Sequence, residues 1–472
     1  MGVAAEPRGY PQEAYAGGRR VIDGMVPDDG SGSSSPLRRS VVAVAAVAAA
    51  VELVAAVRLY GRLAPGERPV LYDSVIFEYH GWWLARGARL YVDLWEVKPP
   101  LSFEVTAALA LLSGGDVRTY HLLAVAFMAG CLVATCALAA TYAADRTGDP
   151  IAAVATGLAP LALAPLYWRG LIGFKAKLLV CALLVAALVA DGRDRDLLAG
   201  VAAGLAVATW QAAVAVPAVL LGRAIVARKR RAAVRITAGV LLAGGIALAP
   251  VLAWGALPAM VTETILVPWL GTGGRGTPVG RVGRAVAQLG PAVVVVFVAV
   301  TGFAARARRD RVPTAALLTA WFGGLVLFVD YDAAPDLFVA FVVTSLGVGF
   351  AVAGRERLAG VPVRPVLALA VLLVAAVAVV TLGAHPAILE PRTSLEPYDG
   401  DRTLSPDAPY NRTEVQYLFW NEVPPPNCRL FAGVTQRNAV RAAELVPPDE
   451  PFRSAPCGRF APVFDAVVEK YS

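Results

Sequence analysis

Charge is what this sequence has least of. Asp, Glu, Lys and Arg make up 17% of its 472 residues, against about a quarter in soluble domains, which excludes an ordinary soluble globular protein. Histidine is scarcer still. His80, His121 and His385 are all there are, and their separations match no metal-ligand spacing. Of the five cysteines, Cys131, Cys136 and Cys181 fall within apolar runs, where a thiol behaves as a small hydrophobe. Cys428 and Cys457 lie in a polar C-terminal region; they suit a disulfide if that region faces an oxidising exterior, and two free thiols are the alternative. Neither a nucleotide-binding fingerprint nor an internal repeat stands out, so no nucleotide-sugar site is expected.

What fills the chain instead is hydrocarbon, with 57% hydrophobic residues and a mean hydropathy of +0.59. Several Ala/Val/Leu runs approach the roughly 20 residues a helix needs to cross a bilayer. Without strand-like alternation, helices are the spanning solution. An all-α polytopic integral membrane protein is predicted, with about eleven spans: 41–57, 101–112, 119–143, 151–167, 177–190, 197–221, 236–254, 286–304, 312–329, 337–353 and 365–384. The run at 101–112 is short unless its flanks contribute.

The net charge of +7 is accounted for by loops rather than by nucleic acid. Residues 223–235, 305–311 and 354–364 are short, basic and flanked by apolar runs, the pattern of cytoplasmic loops. Residues 1–40, rich in Gly, Ser, Pro and Arg, read as a disordered cytoplasmic tail ahead of a retained anchor. Residues 41–384 form the transmembrane part, with a large first exterior loop at about 58–100. An odd number of spans puts the Pro-rich segment 385–472 outside as a small soluble domain. Its triplet Asn411-Arg412-Thr413 is an N-glycosylation acceptor pattern, in keeping with that side.

Polar chemistry gathers in one stretch, "YDSVIFEYHGWWLARGARLYVDLWEVKPPL", from Tyr72 to Leu101. Trp82, Trp83, Trp95, Tyr72, Tyr79 and Tyr91 suit a membrane interface, so short interfacial helices are expected; an aromatic belt with incidental charge is the bland alternative. The mixture favours function. A carboxylate at this depth can act as general base toward a hydroxyl, and a lysine can hold a phosphate as a point charge. Pro99 and Pro100 fix the backbone directly after Lys98.

Asp73 just after the first span, "LARGARLYVD" and the form "YxDxWExKPPL" resemble the polyprenyl-phosphate-sugar-dependent glycosyltransferases of the GT-C superfamily. The likeness is to the protein mannosyltransferase and aminoarabinose transferase type, and most of all to the archaeal dolichol-phosphate-mannose mannosyltransferases. The resemblance implies a GT-C-like bundle and a sugar donor on dolichyl or polyprenyl phosphate. It implies Asp73 as catalytic base or acceptor-positioning acid, and Lys98 as the lysine that binds the donor phosphate. Asp93 and Glu96 match acidic positions of the archaeal form. The family's Asp-Glu pair is Asp73-Ser74 here, so Glu78 is the substitute for the second acid, with Tyr79 beside it as a substrate contact. The acceptor implied is an exterior hydroxyl, with a glycan of surface N-glycan assembly favoured, reached by one inverting displacement.

Further residues are weighed on topology. Arg169, Lys175 and Lys177 in "YWRGLIGFKAK" could add cations, but counting spans puts their loop on the cytoplasmic side, where Lys175 and Lys177 read as positive-inside charge and Arg169 stays open as a substrate contact. Arg275 and Arg281 in the Gly-rich exterior segment 262–284 could close over a phosphate or glycan, or simply sit in a loop. The acidic turn 330–336 could touch sugar hydroxyls or only connect spans. Asp73 with His80 or Glu78 could hold a divalent cation, and no metal is assigned. Against the enzyme stands a transporter or flippase of lipid-linked sugars, which should carry charge within its spans. A structural or sensory protein would leave the 72–101 cluster unexplained.

Overall fold

The computed structural model describes residues 35–63, 68, 69, 71, 73–94, 96–266, 268, 277–309, 312–329, 334–354, 357, 358, 361–382, 416 and 419–422. Tyr72, Trp95, Arg275, Cys428, Cys457, the Asn411 triplet and most of the proposed tail and C-terminal domain lie outside them.

Helix follows helix, each begun by local chemistry. α1 (Pro36–Tyr60) starts at Ser35, whose hydroxyl accepts from the Arg38 amide, with Pro36 at the first turn. α2 (Ser74–Leu84) and α3 (Leu101–Leu112) are short. α4 (Val117–Thr147) is capped by Asp116 and closed by Gly148 in the left-handed region. Asp149 caps α5 (Pro150–Leu158) at the amides of Ile151 and Ala152. A bend of 65° separates Pro150–Ala162 from α6 (Ala164–Leu171). Then come α7 (Ala176–Gly192), α8 (Asp196–Thr209), α9 (Ala215–Val226), α10 (Arg230–Ala253) and α11 (Leu257–Val261), the last running into a π turn, Thr262–Leu266. α12 (Pro278–Leu289), α13 (Val293–Arg309), α14 (Thr314–Gly324), α15 (Leu337–Ser345), α16 (Val348–Ala353) and α17 (Val363–Leu382) complete the bundle. A two-residue hairpin, Arg357–Leu358 with Val361–Pro362, precedes α17.

Pro36–Tyr60, Val117–Thr147, Arg230–Ala253 and Pro278–Arg308 are each long and apolar enough to cross a membrane, and the bent pair 150–171 makes a fifth. Where α8 and α10 cross, glycine permits a close approach. A Cβ on Gly239 of α10 would stand 2.3 Å from the Leu197 carbonyl oxygen, and one on Gly200 of α8 2.2 Å from that of Ile236, so the two backbones touch as small-residue membrane crossings do.

Contacts between helix ends correct the span assignment in two places. The Tyr60 hydroxyl at the end of α1 meets His121 Nε2 near the start of α4 at 2.7 Å. Both ends therefore lie together, and α3 does not carry the chain across between them. At 12 residues it is about 18 Å long, well short of a hydrocarbon core of about 30 Å. Residues 197–221, expected as one span, are two antiparallel helices. Thr209, ending α8, accepts from Ser102 Oγ at 3.2 Å at the Tyr60 end, whereas Arg223, late in α9, pairs with Asp191 at the far end of α7 at 2.6 Å. Arg193–Asp145 and Arg364–Asp149 lie at that far end as well. With α3 removed from the count, residues 169–177 move to the end that holds Asp73.

Candidate active site

α2 lies across the Tyr60 end of the bundle with Asp73 at its N-cap. The Asp73 carboxylate makes no capping bond to its own helix. Its Oδ2 is 2.8 Å from Lys175 Nζ and its Oδ1 3.4 Å from Arg169 Nη1. The reading of Lys175 as positive-inside loop charge is thereby corrected: Lys175 is buried against Asp73. Lys177, read the same way, pairs with Asp336 and sits 5.0 Å from the centre of the Trp210 ring. Asp336 of the acidic turn thus answers a lysine. Burial pulls the Lys175 ammonium down to about 8, with Arg169 and Lys98 adding to the fall and Asp73 opposing it.

The turn that presents Lys175 is held from behind by Glu78. Its Oε1 accepts from the Phe174 amide at 2.9 Å and its Oε2 meets His121 Nδ1 at 2.9 Å. The Tyr60 hydroxyl, on the other side of His121, donates to the Leu171 carbonyl at 2.8 Å. Gly173, with φ +118°, lets the chain turn there, and a Cβ on it would fall 2.1 Å from Glu78 Oε1. Glu78 is fully buried, so its expected contact with substrate is corrected: both its oxygens answer the protein, and it positions Lys175. Tyr79 is corrected likewise. It is buried in the core, edge-on to Trp83 at 6.4 Å.

A second polar knot sits beside the first. The Glu96 amide donates to Glu263 Oε2 at 2.9 Å, and Glu96 Oε1 accepts from the Val97 amide at 2.9 Å and from Lys98 Nζ at 3.4 Å. His80 Nδ1 stands 3.6 Å from Glu96 Oε2, and burial holds that imidazole down to about 4, neutral at ordinary pH. Burial pushes the Glu263 carboxyl well up, against the hydrogen bond it accepts from the Glu96 amide. Lys98 is one-third exposed, its Nζ 5.1 Å from the centre of the Phe77 ring, and Tyr91 donates to its carbonyl at 2.7 Å. Gln211 bridges the carbonyls of Val97 and Thr264 at 3.2 and 3.3 Å. Asp93 is engaged by Arg89 at 3.0 Å across an exposed turn, which lowers its carboxyl; it closes that turn and does not reach the Asp73 group. Arg281 is buried, with Nη1 donating to the Leu327 carbonyl at 3.3 Å. No group of three or more His, Cys, Asp or Glu side chains that could hold a metal occurs among the described residues.

The site's back wall is aromatic. Trp82 stacks on Tyr120 at 5.6 Å, and Phe419 and Trp420 from the C-terminal region pack on Tyr120 and His121 at 6.0 and 5.3 Å. Gln416 accepts from the Leu71 amide at 3.0 Å. These C-terminal residues dock directly onto the approach to α2.

Residues 87–251 match the family model described as DolP-mannose mannosyltransferase, a stretch that includes Lys98, Arg169 and Lys175 and begins after Asp73. Over 284 residues the chain is 27% identical to the dolichol phosphate-mannose mannosyltransferase of Haloferax volcanii. The alignment covers 59% of this chain and 61% of that protein, so the chain spans about three fifths of its relative's length. The structure resembles ArnT from Cupriavidus metallidurans, solved bound to undecaprenyl phosphate, with a TM-score of 0.50 at 15% identity over 90% of this chain and 84% of that one. The fold is GT-C. The resemblance read from residues 72–101 is thus borne out by a family model, a curated relative and a shared architecture. Within the GT-C fold, α2 and α3 are the short helices that lie between the first two long ones.

Proposed function

We propose that the protein is a membrane glycosyltransferase that moves a hexose, mannose by the family likeness, from a dolichyl or polyprenyl phosphate to an acceptor hydroxyl on the outer side of the membrane. The acceptor class we favour is a glycan. One observation carries this reading: a carboxylate flanked by a lysine at 2.8 Å and an arginine at 3.4 Å at one mouth of the bundle, with Lys98 close enough to depress Lys175. We also propose that this mouth and the C-terminus lie outside.

The chemistry follows from the charges. Two cations flank the Asp73 carboxylate in the resting site. An arriving lipid phosphate competes for Arg169, Lys175 and Lys98, which loosens their hold on Asp73 and raises its basicity toward the acceptor hydroxyl. As that hydroxyl attacks the anomeric carbon, Asp73 takes its proton and the sugar–phosphate bond breaks on the opposite face, inverting the centre. The leaving phosphate gains charge along this path, so the cations stabilise the transition state more than the ground state. Glu96 holds Lys98 at the mouth. A flippase would need its ionisable groups along the path through the spans, whereas this group sits at one mouth.

The experiment is transfer of radiolabelled mannose from dolichyl phosphomannose to a membrane glycan fraction. Wild type should transfer, and Lys98→Ala should lower the rate about 10- to 100-fold. Absence of transfer from wild type with any lipid-linked hexose would overturn the reading.

Lys175 also fixes a pH signature. The group is charged below about 8 and neutral above, so transfer should fall as pH rises through that value. Stability should move the other way. The folded state resists charging this lysine, so the unfolded chain binds the extra proton between about 8 and the ordinary lysine range, and stability gains there with rising pH. Lys175→Met should remove both the alkaline fall in rate and the alkaline gain in stability. A wild-type rate profile flat across this range would show that Lys175 holds no phosphate.

A further inference from the structure

A cavity of about 540 Å³ lies at the other end of the bundle, lined by Tyr142, Arg146, Arg223, Arg306, Thr314 and Phe350 with apolar neighbours. α7 measures the separation. Its first turn follows Lys175 at the Asp73 mouth, and Asp191 in its last turn pairs with Arg223 of the cavity at 2.6 Å. The helix has 17 residues, roughly 26 Å in length. The cavity therefore takes no part in the reaction at Asp73.

Three guanidinium groups from three helices, α4, α9 and α13, line it, and Arg223 is paired with Asp191. Arg146 lies 5.5 Å from the centre of the Tyr142 ring and Arg306 5.7 Å from that of Phe350, and the two rings meet edge-on at 6.3 Å. The aromatic faces fix two planar forks beside one opening, the arrangement that suits phosphate oxygens. The rim is hydrocarbon. Val226 is 79% exposed, Val312 50% and Leu317 42%, so the cationic floor opens sideways through apolar residues toward the membrane.

We propose that this cavity binds a phosphate-bearing membrane lipid, its headgroup held by Arg146, Arg223 and Arg306 and its chains passing Val226 and Leu317. A cationic pocket with an apolar rim matches an anionic amphiphile better than a soluble anion, which gains nothing from the rim. Such a lipid would tie α4, α9, α13 and α14 together at the mouth opposite the active site.

The test is thermal unfolding and native mass spectrometry of the full chain in detergent, with added phosphatidylglycerol, phosphatidylcholine or inorganic phosphate. Phosphatidylglycerol should raise Tm and remain bound, and phosphatidylcholine should do so more weakly. Arg146→Ala with Arg306→Ala should weaken that binding at least about tenfold. Gly222→Leu keeps all three arginines and fills the cavity from α9, where a Cβ meets nothing within 4 Å, and it should abolish the shift as well. Either variant suffices if the other fails to fold. An equal shift from inorganic phosphate alone would assign the site to a free anion and overturn the lipid. A phosphatidylglycerol shift that survives in the folded variants, or none in wild type, would overturn the site.

Discussion

Asp73→Asn is expected to lower transfer about 10³-fold, the scale of a lost general base, while donor binding holds or tightens. Asparagine keeps the shape, and its one carbonyl oxygen can still accept from Lys175 or Arg169, while the turn at 169–175 stays held by Glu78 at the Phe174 amide. What disappears is the negative charge that competes with the lipid phosphate for those cations. The effect should therefore fall on kcat, with KM for dolichyl phosphomannose unchanged or reduced. Steady-state transfer with purified protein, alongside direct donor binding, separates the two. A variant that transfers at the wild-type rate would move the acid role to Glu96, the next carboxylate at this mouth. A rise in KM with kcat intact would make Asp73 a donor-binding residue.

The second large effect is expected at Glu78, and it should be structural first. Glu78→Ala leaves His121 Nδ1 and the Phe174 amide facing an emptied buried space. Leaving two buried donors without partners costs about 1–3 kcal/mol each. The turn at 171–175 should then lose its register, and transfer should fall with stability. Glu78→Gln still offers an oxygen to the Phe174 amide and should lose less of both. Chemical or thermal unfolding in detergent, followed by transfer at a temperature where each variant is folded, gives the comparison. Asp73→Asn takes the countercharge from the buried Lys175 and should cost some stability as well, but its loss of transfer should persist in the folded protein at every temperature, so the pair of substitutions separates chemistry from positioning. Unchanged stability in Glu78→Ala would break the link drawn between Glu78 and the placement of Lys175.

Together these effects describe a site assembled from two directions. α2 and the loop after it bring Asp73, Glu96 and Lys98 from one contiguous stretch. The turn between α6 and α7 brings Arg169 and Lys175 from some hundred residues on. Glu78 joins the two through the Phe174 amide at 2.9 Å and is itself held by His121 at 2.9 Å, and the C-terminal Phe419 and Trp420 cover that lock.

Much of this was legible in the chain itself. Charge scarcity and long Ala/Val/Leu runs determine a helical membrane protein, because only internally hydrogen-bonded segments are stable in hydrocarbon. The crowding of acids, aromatics and Lys98 between residues 72 and 101 marks the site, because ionisable groups are held at a membrane mouth only at a cost. The GT-C likeness was carried by that same stretch.

Tertiary structure alone decided which distant residues complete it. Apolar content does not distinguish a helix that crosses from one that lies along the mouth, so α3 passes for a span, and one miscounted crossing sends Arg169, Lys175 and Lys177 to the wrong side. Its length of 12 residues and the polar break at Trp210 and Gln211 were the signals that could have corrected the count. Burial was equally hidden. Glu78, Tyr79 and Asp93 share the site's segment, but α2 turns Glu78 and Tyr79 inward and Arg89 holds Asp93 to its own turn. Sequence placed the chemistry in one neighbourhood, and packing chose which side chains face the mouth, because that choice depends on helices that meet only after the chain has folded back on itself.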